Sequence, residues 1–147
     1  MSKTVEVLGA QHQEVLTYLE GVSAGLTQVG SRPDLTDFLR FLEGEVLEHF
    51  DLEEKALFPV MARYQHLADG PLAMMSVEHT TFRALLGQLG SALRTGDQGQ
   101  QRACAEDLIN LLRGHIAKED RVLFPMALNT LSAEELGEVD AAAGLQA

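Results

Sequence analysis

The chain contains one eleven-residue pattern twice. It reads His49-Phe-Asp-Leu-Glu53-Glu-Lys-Ala-Leu-Phe-Pro59 in the first half and His115-Ile-Ala-Lys-Glu119-Asp-Arg-Val-Leu-Phe-Pro125 in the second. In each copy a histidine and a glutamate stand at positions i and i+4, and a basic residue and Leu-Phe-Pro follow. Residues at i and i+4 share one face of a helix, so each copy presents an imidazole beside a carboxylate.

A further histidine precedes each copy of the pattern. His12 and His79 are separated by almost the same interval as His49 and His115. At 147 residues the chain is long enough to bury a sizeable core as one domain. The repeat therefore predicts a single domain over residues 1–147, with halves of about residues 5–66 and 72–131.

Apolar residues recur at spacings of three and four in four segments, which is typical of the buried face of amphipathic helices. The histidines and glutamates of the repeat lie within these apolar faces. Helix-breaking residues separate the segments: Gly30-Ser31-Arg32-Pro33, Asp69-Gly70-Pro71 and Gly96-Asp97-Gln98-Gly99. The pattern predicts an all-α fold, an antiparallel up-down four-helix bundle with an internal two-fold repeat.

Two further features bear on where the helices end. Pro59 and Pro125 each stand shortly after the glutamate of the pattern, and a proline inside a helix ends or kinks it. Ser132 with Glu135 at the third position after it matches a capping box, which predicts a short additional C-terminal helix.

Side chains on antiparallel helices meet only at a common height, so each turn must fall midway between the residues it brings together. The midpoints lie at position 30.5 for the first two histidines, 66 for Glu53 and His79, and 97 for the last two histidines. All three positions fall in predicted loops, whereas an error of four residues would displace a side chain by roughly 6 Å. We therefore expect six residues to converge in one layer: His12, His49, Glu53, His79, His115 and Glu119.

Four imidazoles and two carboxylates are too many ligands for one tetrahedral zinc ion. They suit two metal ions, each bound by two histidines, with both glutamates bridging and an oxo or hydroxo bridge completing the centre. Five ligands per metal leave a position open for a small molecule. Iron is the first choice for this nitrogen and oxygen set, and manganese and zinc stay open as alternatives.

The composition narrows the classes of partner. The formal net charge of −11 argues against nucleic acid and anionic membranes, because phosphate contacts need clustered basic residues. Cys104 is the one cysteine, which leaves no disulfide framework and no thiolate zinc site. The first residues lack the apolar core of a signal peptide, and no apolar run reaches membrane-spanning length, so we expect a cytoplasmic protein.

The ligand pattern, with Leu-Phe-Pro after each histidine–glutamate pair, resembles the hemerythrin-like (HHE cation-binding) domain family over about residues 5 to 128. This resemblance implies a four-helix bundle with a non-haem di-iron centre. Members of the family bind oxygen, sense oxygen or iron, handle nitric oxide or peroxide, or repair iron–sulfur clusters.

Details of the pattern favour the repair-of-iron-centres type within that family. In oxygen carriers a second histidine stands one helical turn from the first on the third helix, but here Met75 and Arg83 occupy those positions. Acidic residues resembling Glu45 and Glu78 lie near the di-iron site of the repair proteins, so these two are candidates to contact the ligands. The chain is expected to lack the cysteine-bearing N-terminal region of many repair proteins.

Simpler interpretations apply to several other residues. Glu48, Glu54 and Asp120 lie beside the apolar faces and are expected to be solvated. Glu45 faces the core by periodicity, one turn before His49, and a solvated or capping role fits it equally well. A charge on the helix flank is the favoured interpretation of Glu78. His66 has no counterpart in the repeat and is expected at the surface, whereas Cys104 is expected to be a small core residue.

The leading hypothesis is a di-iron protein that binds or reacts with oxygen, nitric oxide or peroxide, in a stress response or in iron–sulfur repair. Oxygen storage and a module that senses iron or oxygen without turnover are alternatives, so the sequence leaves open whether the protein is an enzyme. A metal-free structural bundle is the simplest alternative, and it leaves the convergence of six buried polar side chains unexplained.

Overall fold

The computed structural model describes residues 1–28, 30 and 33–145, and these residues form helices and connecting turns without a strand. Within these described residues, four long helices and two short ones follow one another: α1 (Lys3–Thr27), α2 (residues 36–61), α3 (Gln65–Asp69), α4 (Pro71–Thr95), α5 (residues 98–130) and α6 (Ala133–Ala142). The fold is therefore all-α, a helical bundle. None of the described helices is both long enough and apolar enough to cross a membrane.

Most of the predicted helix boundaries are confirmed. Pro71 begins α4, Gly96 ends it with φ of 74°, and the Asp97 side chain caps α5 by accepting a hydrogen bond from the backbone of Gln100. The predicted first breaker falls between α1 and α2, but its Ser31 and Arg32 lie outside the described residues. Position 66 differs from the prediction because it lies on the short helix α3 and not in an irregular loop.

In the part of the chain that the structure describes, three wider turns of π-helix interrupt the long helices. They are Leu42–Val46 and Glu53–Leu57 within α2, and Glu119–Leu123 within α5. In the last two, the backbone N–H of Phe58 or Phe124 donates to the carbonyl of Glu53 or Glu119, at the fifth position before it. Such single π turns occur often at functional sites.

The π turns also explain what the two prolines do. Pro59 has no N–H to donate to the carbonyl of Lys55, and its ring crowds that carbonyl in an ordinary α-helix. A wider turn just before the proline relieves this conflict, so the helix continues to Met61. Pro125 follows its π turn in the same way, and α5 continues to Thr130. Of the two outcomes predicted for these prolines, an end or a kink, the structure excludes an end at either position.

The apolar core has two parts, one on each side of a polar layer. On α1, Val5 and Leu8 belong to one part, Val15 and Leu19 belong to the other, and His12 lies between them. The same division recurs along α2, α4 and α5. Each long helix therefore contributes apolar packing above and below the layer that contains the repeated histidines and glutamates.

The short C-terminal helix α6 is confirmed, with Ser132 at its N-cap and Glu135 completing the capping box. Asp140 on this helix binds the start of α1. Its carboxylate accepts hydrogen bonds from the Ser2 hydroxyl at 2.8 Å and from both the backbone N–H and the hydroxyl of Thr4 at 3.0 and 2.8 Å. The first turn of α1 is thereby tied to the end of the chain.

Candidate metal centre

The structure brings the six predicted ligands together in the polar layer between the two parts of the core. Their side chains come from all four long helices, and each residue is at most 3% exposed to solvent. They are His12 on α1, His49 and Glu53 on α2, His79 on α4, and His115 and Glu119 on α5.

One group of four donors forms around the first two histidines. The Nε2 atom of His12 lies 2.9 Å from Oε1 of Glu119 and 3.1 Å from Nε2 of His49. Oε2 of Glu53 lies 3.4 Å from the same nitrogen of His49. These donor atoms all lie within 4.8 Å of one another, a spacing that suits one cation.

A second group forms around the other two histidines and shares Glu53 with the first. Oε1 of Glu53 lies 3.1 Å from Nε2 of His79 and 3.9 Å from Nε2 of His115. Oε1 of Glu119 lies 3.4 Å from the His115 nitrogen. Both glutamates therefore lie between the two histidine pairs, as bridging ligands would.

The layer leaves three buried polar atoms without a hydrogen-bond partner among the described residues. They are Oε2 of Glu53, Oε2 of Glu119 and Nε2 of His115. A buried polar atom without a partner costs free energy, and such atoms in folded proteins call for an explanation. Because all three can bind metals and face the same layer, bound cations would satisfy them. The residues present therefore fit a pair of divalent cations.

The two glutamates are inequivalent in the metal-free layer. Burial raises the pKa of Glu53 well above its usual range, and the negative charge of Glu119 raises it further. Burial acts in the same direction on Glu119, but its interactions with Glu53, His115 and His12 outweigh burial and hold its pKa well below the usual range. Without a metal, Glu53 therefore holds a proton more readily than Glu119.

The two glutamates also shift the pKa of the His115 imidazole. Burial alone would lower its pKa, but the carboxylates of Glu119 and Glu53 raise it to about 10. The pKa of His79 is lowered, mainly by burial. A proton on His115 occupies the place that a metal would take, so metal binding must release that proton.

Each of the four histidines is also held at its outer nitrogen, Nδ1, by a side-chain oxygen from a neighbouring helix. Two of these oxygens belong to the residues that immediately precede His12 and His79. Oε1 of Gln11 lies 2.7 Å from Nδ1 of His49, and Oε1 of Glu78 lies 2.8 Å from Nδ1 of His115. These contacts turn Nε2 of both rings toward the polar layer.

The other two oxygens belong to the residues that immediately follow the glutamates. Oδ1 of Asp120 lies 2.7 Å from Nδ1 of His12, and Oε2 of Glu54 lies 2.6 Å from Nδ1 of His79. Glu54 and Asp120 are exposed, as predicted, but the prediction did not include their contacts with the histidines. Their side chains are 38% and 36% exposed, but one carboxylate oxygen of each is engaged by a histidine.

The repeat held a signal that could have identified these outer contacts. Glu54 and Asp120 occupy equivalent positions in the two halves, and so do Gln11 and Glu78. Each is adjacent in the chain to a predicted ligand. Adjacent helical residues point in different directions, however, so adjacency suggests a contact with a different helix without telling which one.

The structure corrects the predicted position of Glu45. We expected it to face the core one turn before His49, but it is exposed. Val46, four residues after Leu42, occupies the buried face of the helix, and Glu45 lies on the exposed side with Glu43 and Gly44. Among the described residues no hydrogen bond or ion pair joins Glu45 to the polar layer.

Other predicted residues lie where the sequence placed them. His66 is exposed, and Cys104 is buried, with burial raising the pKa of its thiol. Arg83 occupies a position where the resemblance would place the second histidine of an oxygen carrier. It instead donates two hydrogen bonds of 3.0 Å to the carboxylate of Glu54, and so supports an outer contact.

Aromatic rings pack against the histidines. Phe50 stacks on His79 with the ring centres 3.8 Å apart, and Phe124 stacks against His12 at 5.3 Å. Phe82 contacts Phe50 edge-on at 4.9 Å. These rings restrict the imidazoles and exclude water from the layer.

Comparison with known proteins agrees with this geometry. The family model described as the Hemerythrin HHE cation binding domain matches residues 3–127. The iron–sulfur cluster repair protein YtfE of Salmonella schwarzengrund (strain CVM19633) is 31% identical over 107 residues, which cover 64% of this chain and 47% of that protein. The chain thus spans about half the length of this relative. No solved structure matches the chain. With a family match over nearly its whole length, the chain belongs to the hemerythrin HHE cation-binding domain family.

Proposed function

We propose that this protein is a non-haem di-iron protein that reacts with small oxidants such as oxygen, nitric oxide or peroxide. The observation that carries the proposal is the set of unpaired buried atoms on Glu53, Glu119 and His115, in a layer that holds nitrogen and oxygen donors and no thiolate. The ligands of one iron would be His12 and His49, those of the other His79 and His115, and both glutamates would bridge. When bound, a pair of irons supplies redox chemistry toward small oxidants.

We further infer that residues 1–147 form one domain with four antiparallel long helices. The support is the contact pattern across the layer. His12 on α1 reaches Asp120 on α5, and His79 on α4 reaches Glu54 on α2. The two contacts are equivalent under the repeat, as expected if the halves at residues 5–66 and 72–131 are related by a two-fold arrangement.

The surrounding side chains would govern what reaches the irons. Val15, Phe50, Phe82 and Ile116 are at most 5% exposed and lie within a turn of the histidines. An apolar wall of this kind admits a small uncharged molecule more readily than an ion, because an ion must lose its hydration shell. Oxygen, nitric oxide and hydrogen peroxide meet this requirement.

Within this class we favour the iron–sulfur repair or nitrosative stress role over oxygen storage. A relative that is 31% identical is an iron–sulfur cluster repair protein. The histidine ligation is also symmetric, two imidazoles on each side, whereas oxygen carriers of the family have an asymmetric set. Oxygen storage and a sensory module without turnover are the alternatives to test.

Metal analysis of the purified protein, combined with its visible spectrum, is the first experiment. We expect two irons per chain, and loss of most of one iron in His49→Ala or Glu53→Ala. His66→Ala is the matched control, because this histidine is exposed and lies outside the layer. A colourless protein that binds no metal, with equal thermal stability with and without chelator, would contradict the di-iron assignment.

Stopped-flow absorbance of the reduced protein then distinguishes the functions. Mixing with nitric oxide, oxygen or peroxide should consume the reduced centre without return of the unchanged gas. A stable oxygen adduct that releases oxygen on evacuation would instead support storage. A change in oligomeric state or partner binding without turnover would support a sensor.

A further inference from the structure

The contacts at the outer nitrogens of the histidines do not follow the symmetry of the ligands. Glu54 and Asp120 are both carboxylates in equivalent positions, and their contacts have similar lengths, 2.6 and 2.7 Å. Gln11 and Glu78 are also in equivalent positions, yet one is a neutral amide and the other a carboxylate. The two halves of the layer therefore differ in one side chain, because Gln11 has an amide nitrogen where Glu78 has a second carboxylate oxygen.

The surroundings of this pair differ as well. Glu78 is 16% exposed, and its second oxygen accepts a hydrogen bond from Lys118. The position equivalent to Lys118 in the first half is Leu52, which is partly buried and packs against the apolar core. The amide of Gln11 therefore holds His49 in a neutral, less polar setting, whereas His115 is held by a charged pair.

The acceptor at Nδ1 affects the affinity of Nε2 for a metal. A carboxylate that accepts the Nδ1 proton makes the imidazole a stronger ligand, and replacing such a partner typically costs about 10–100-fold in metal affinity. A neutral amide oxygen forms a weaker hydrogen bond than a charged one, by roughly a factor of two. His49 is accordingly the weakest of the four histidine ligands.

Positive charges near the second half act against this difference, but weakly. Arg83 and Lys118 contact the outer carboxylates with side chains that are 41% and 48% exposed. Solvent and salt screen their charges, and each lies beyond the carboxylate and not beside the ring. The hydrogen bond at Nδ1 contacts the ring directly and is less exposed than these two charges, so it has the larger effect on the metal affinity of the imidazole.

We propose that Gln11 is a positioning residue that makes the site between His12 and His49 the weaker of the two, so that this site releases its metal first. The proposal rests on the proposed function, because it requires two bound metals. It goes further by giving the two sites different roles, with one metal retained between His79 and His115 and one exchangeable. An exchangeable metal suits a protein that either supplies iron or reports its availability.

The test is a titration of the iron(II)-loaded protein with a graded concentration of chelator under anaerobic conditions, with retained iron counted by metal analysis. The native protein should lose its irons in two steps. Gln11→Glu should move the first step toward the second, by about 10–100-fold in chelator concentration. Glu78→Gln should move the second step toward the first. Glu45→Gln, at an exposed position outside the layer, is the matched control and should leave both steps in place.

Crystals soaked at the chelator concentration that removes one iron show directly which site loses its iron first. Anomalous scattering at the iron edge should be weaker between His12 and His49 than between His79 and His115. Three results would overturn this proposal and leave the di-iron assignment standing. They are loss of iron from the other site first, release of both irons in one step, and two steps that Gln11→Glu does not change. Absence of any bound iron in the native protein would overturn both. Thermal unfolding of each metal-free variant separates these effects from misfolding.

Discussion

Oδ1 of Asp120 lies 2.7 Å from Nδ1 of His12, although the two residues are 108 positions apart in the chain. This contact joins the first long helix to the last, and the contact of Glu54 with His79 repeats it in the other half of the repeat. Each pairs a residue that directly follows a predicted bridging glutamate with a histidine on another helix. Each predicted bridging glutamate and the acceptor that orients a histidine thus come from consecutive residues.

The first prediction concerns Asp120. Asp120→Asn keeps the size of the side chain but removes the charge that strengthens the hydrogen bond with His12. We expect iron affinity at the site of His12 and His49 to fall by about 10–100-fold, measured by competition with a chelator. Asp107→Asn, at an exposed aspartate on the same helix outside the layer, is the control. Equal affinity in both variants would show that the contact has no part in metal binding.

The second prediction concerns pH. The pKa of His115 is raised to about 10 and that of Glu53 is raised above its usual range, so the metal-free layer holds protons that a metal displaces. A state that binds fewer protons is favoured as pH rises. We therefore expect the gain in Tm on iron loading to grow between about pH 6 and pH 9. Metal binding should also release protons, which calorimetry in buffers of different ionisation enthalpy measures.

The stability of the metal-free protein should change with pH in the opposite direction. A group whose folded-state pKa is raised contributes stability below its unfolded pKa and loses it as pH rises through the folded value. The chelated protein should therefore lose stability above neutral pH. Glu53→Gln should reduce this loss, because a neutral amide replaces the carboxyl group that must ionise. A chelated protein whose Tm rises from pH 7 to pH 9 would contradict this account.

The third prediction concerns the π turn at Glu53–Leu57. Pro59→Ala supplies an N–H that can donate to the carbonyl of Lys55, which favours an ordinary α-helical turn. Narrowing the turn would rotate Glu53 relative to Phe58, so we expect weaker iron binding with unchanged helical content. Iron stoichiometry and circular dichroism together measure this. Pro33→Ala is the control, since this proline precedes α2. Unaltered iron affinity would mean that the π turn is maintained by packing and not by the proline.

The fourth prediction concerns Asp140, which accepts hydrogen bonds at the start of α1. Asp140→Ala should lower the free energy of unfolding by about 1–2 kcal/mol, as expected for loss of a helix cap with partly buried partners. Burial raises the pKa of Asp140, but hydrogen bonds from Thr4 and Ser2 outweigh it and leave the pKa lowered. Its stabilising effect is therefore present above about pH 4 and lost as pH falls further. Denaturant unfolding of both proteins at pH 7 and pH 3 checks the size and the sign.

Much of the fold could be predicted because it depends on local patterns. The helix boundaries at Pro71, Gly96 and Asp97 follow from residues that cannot continue a helix or that cap one. The capping box at Ser132 and Glu135 is a contact within one helical turn, so it needs no knowledge of the rest of the fold. The π turns cannot be predicted in this way, because apolar residues at spacings of three and four indicate an α-helix and do not mark a local change of pitch.

The sequence by itself determined which six side chains meet and at what level. The spacing of four within each pair places His49 with Glu53 and His115 with Glu119 on single helix faces, and the midpoints of the loops set the heights. Only the tertiary structure decided which oxygen holds which imidazole, that Gln11 contacts His49, and that Glu45 turns to solvent. The physical reason is that spacing along a helix sets height and face, whereas contacts between helices depend on their rotation and on local changes of helical pitch.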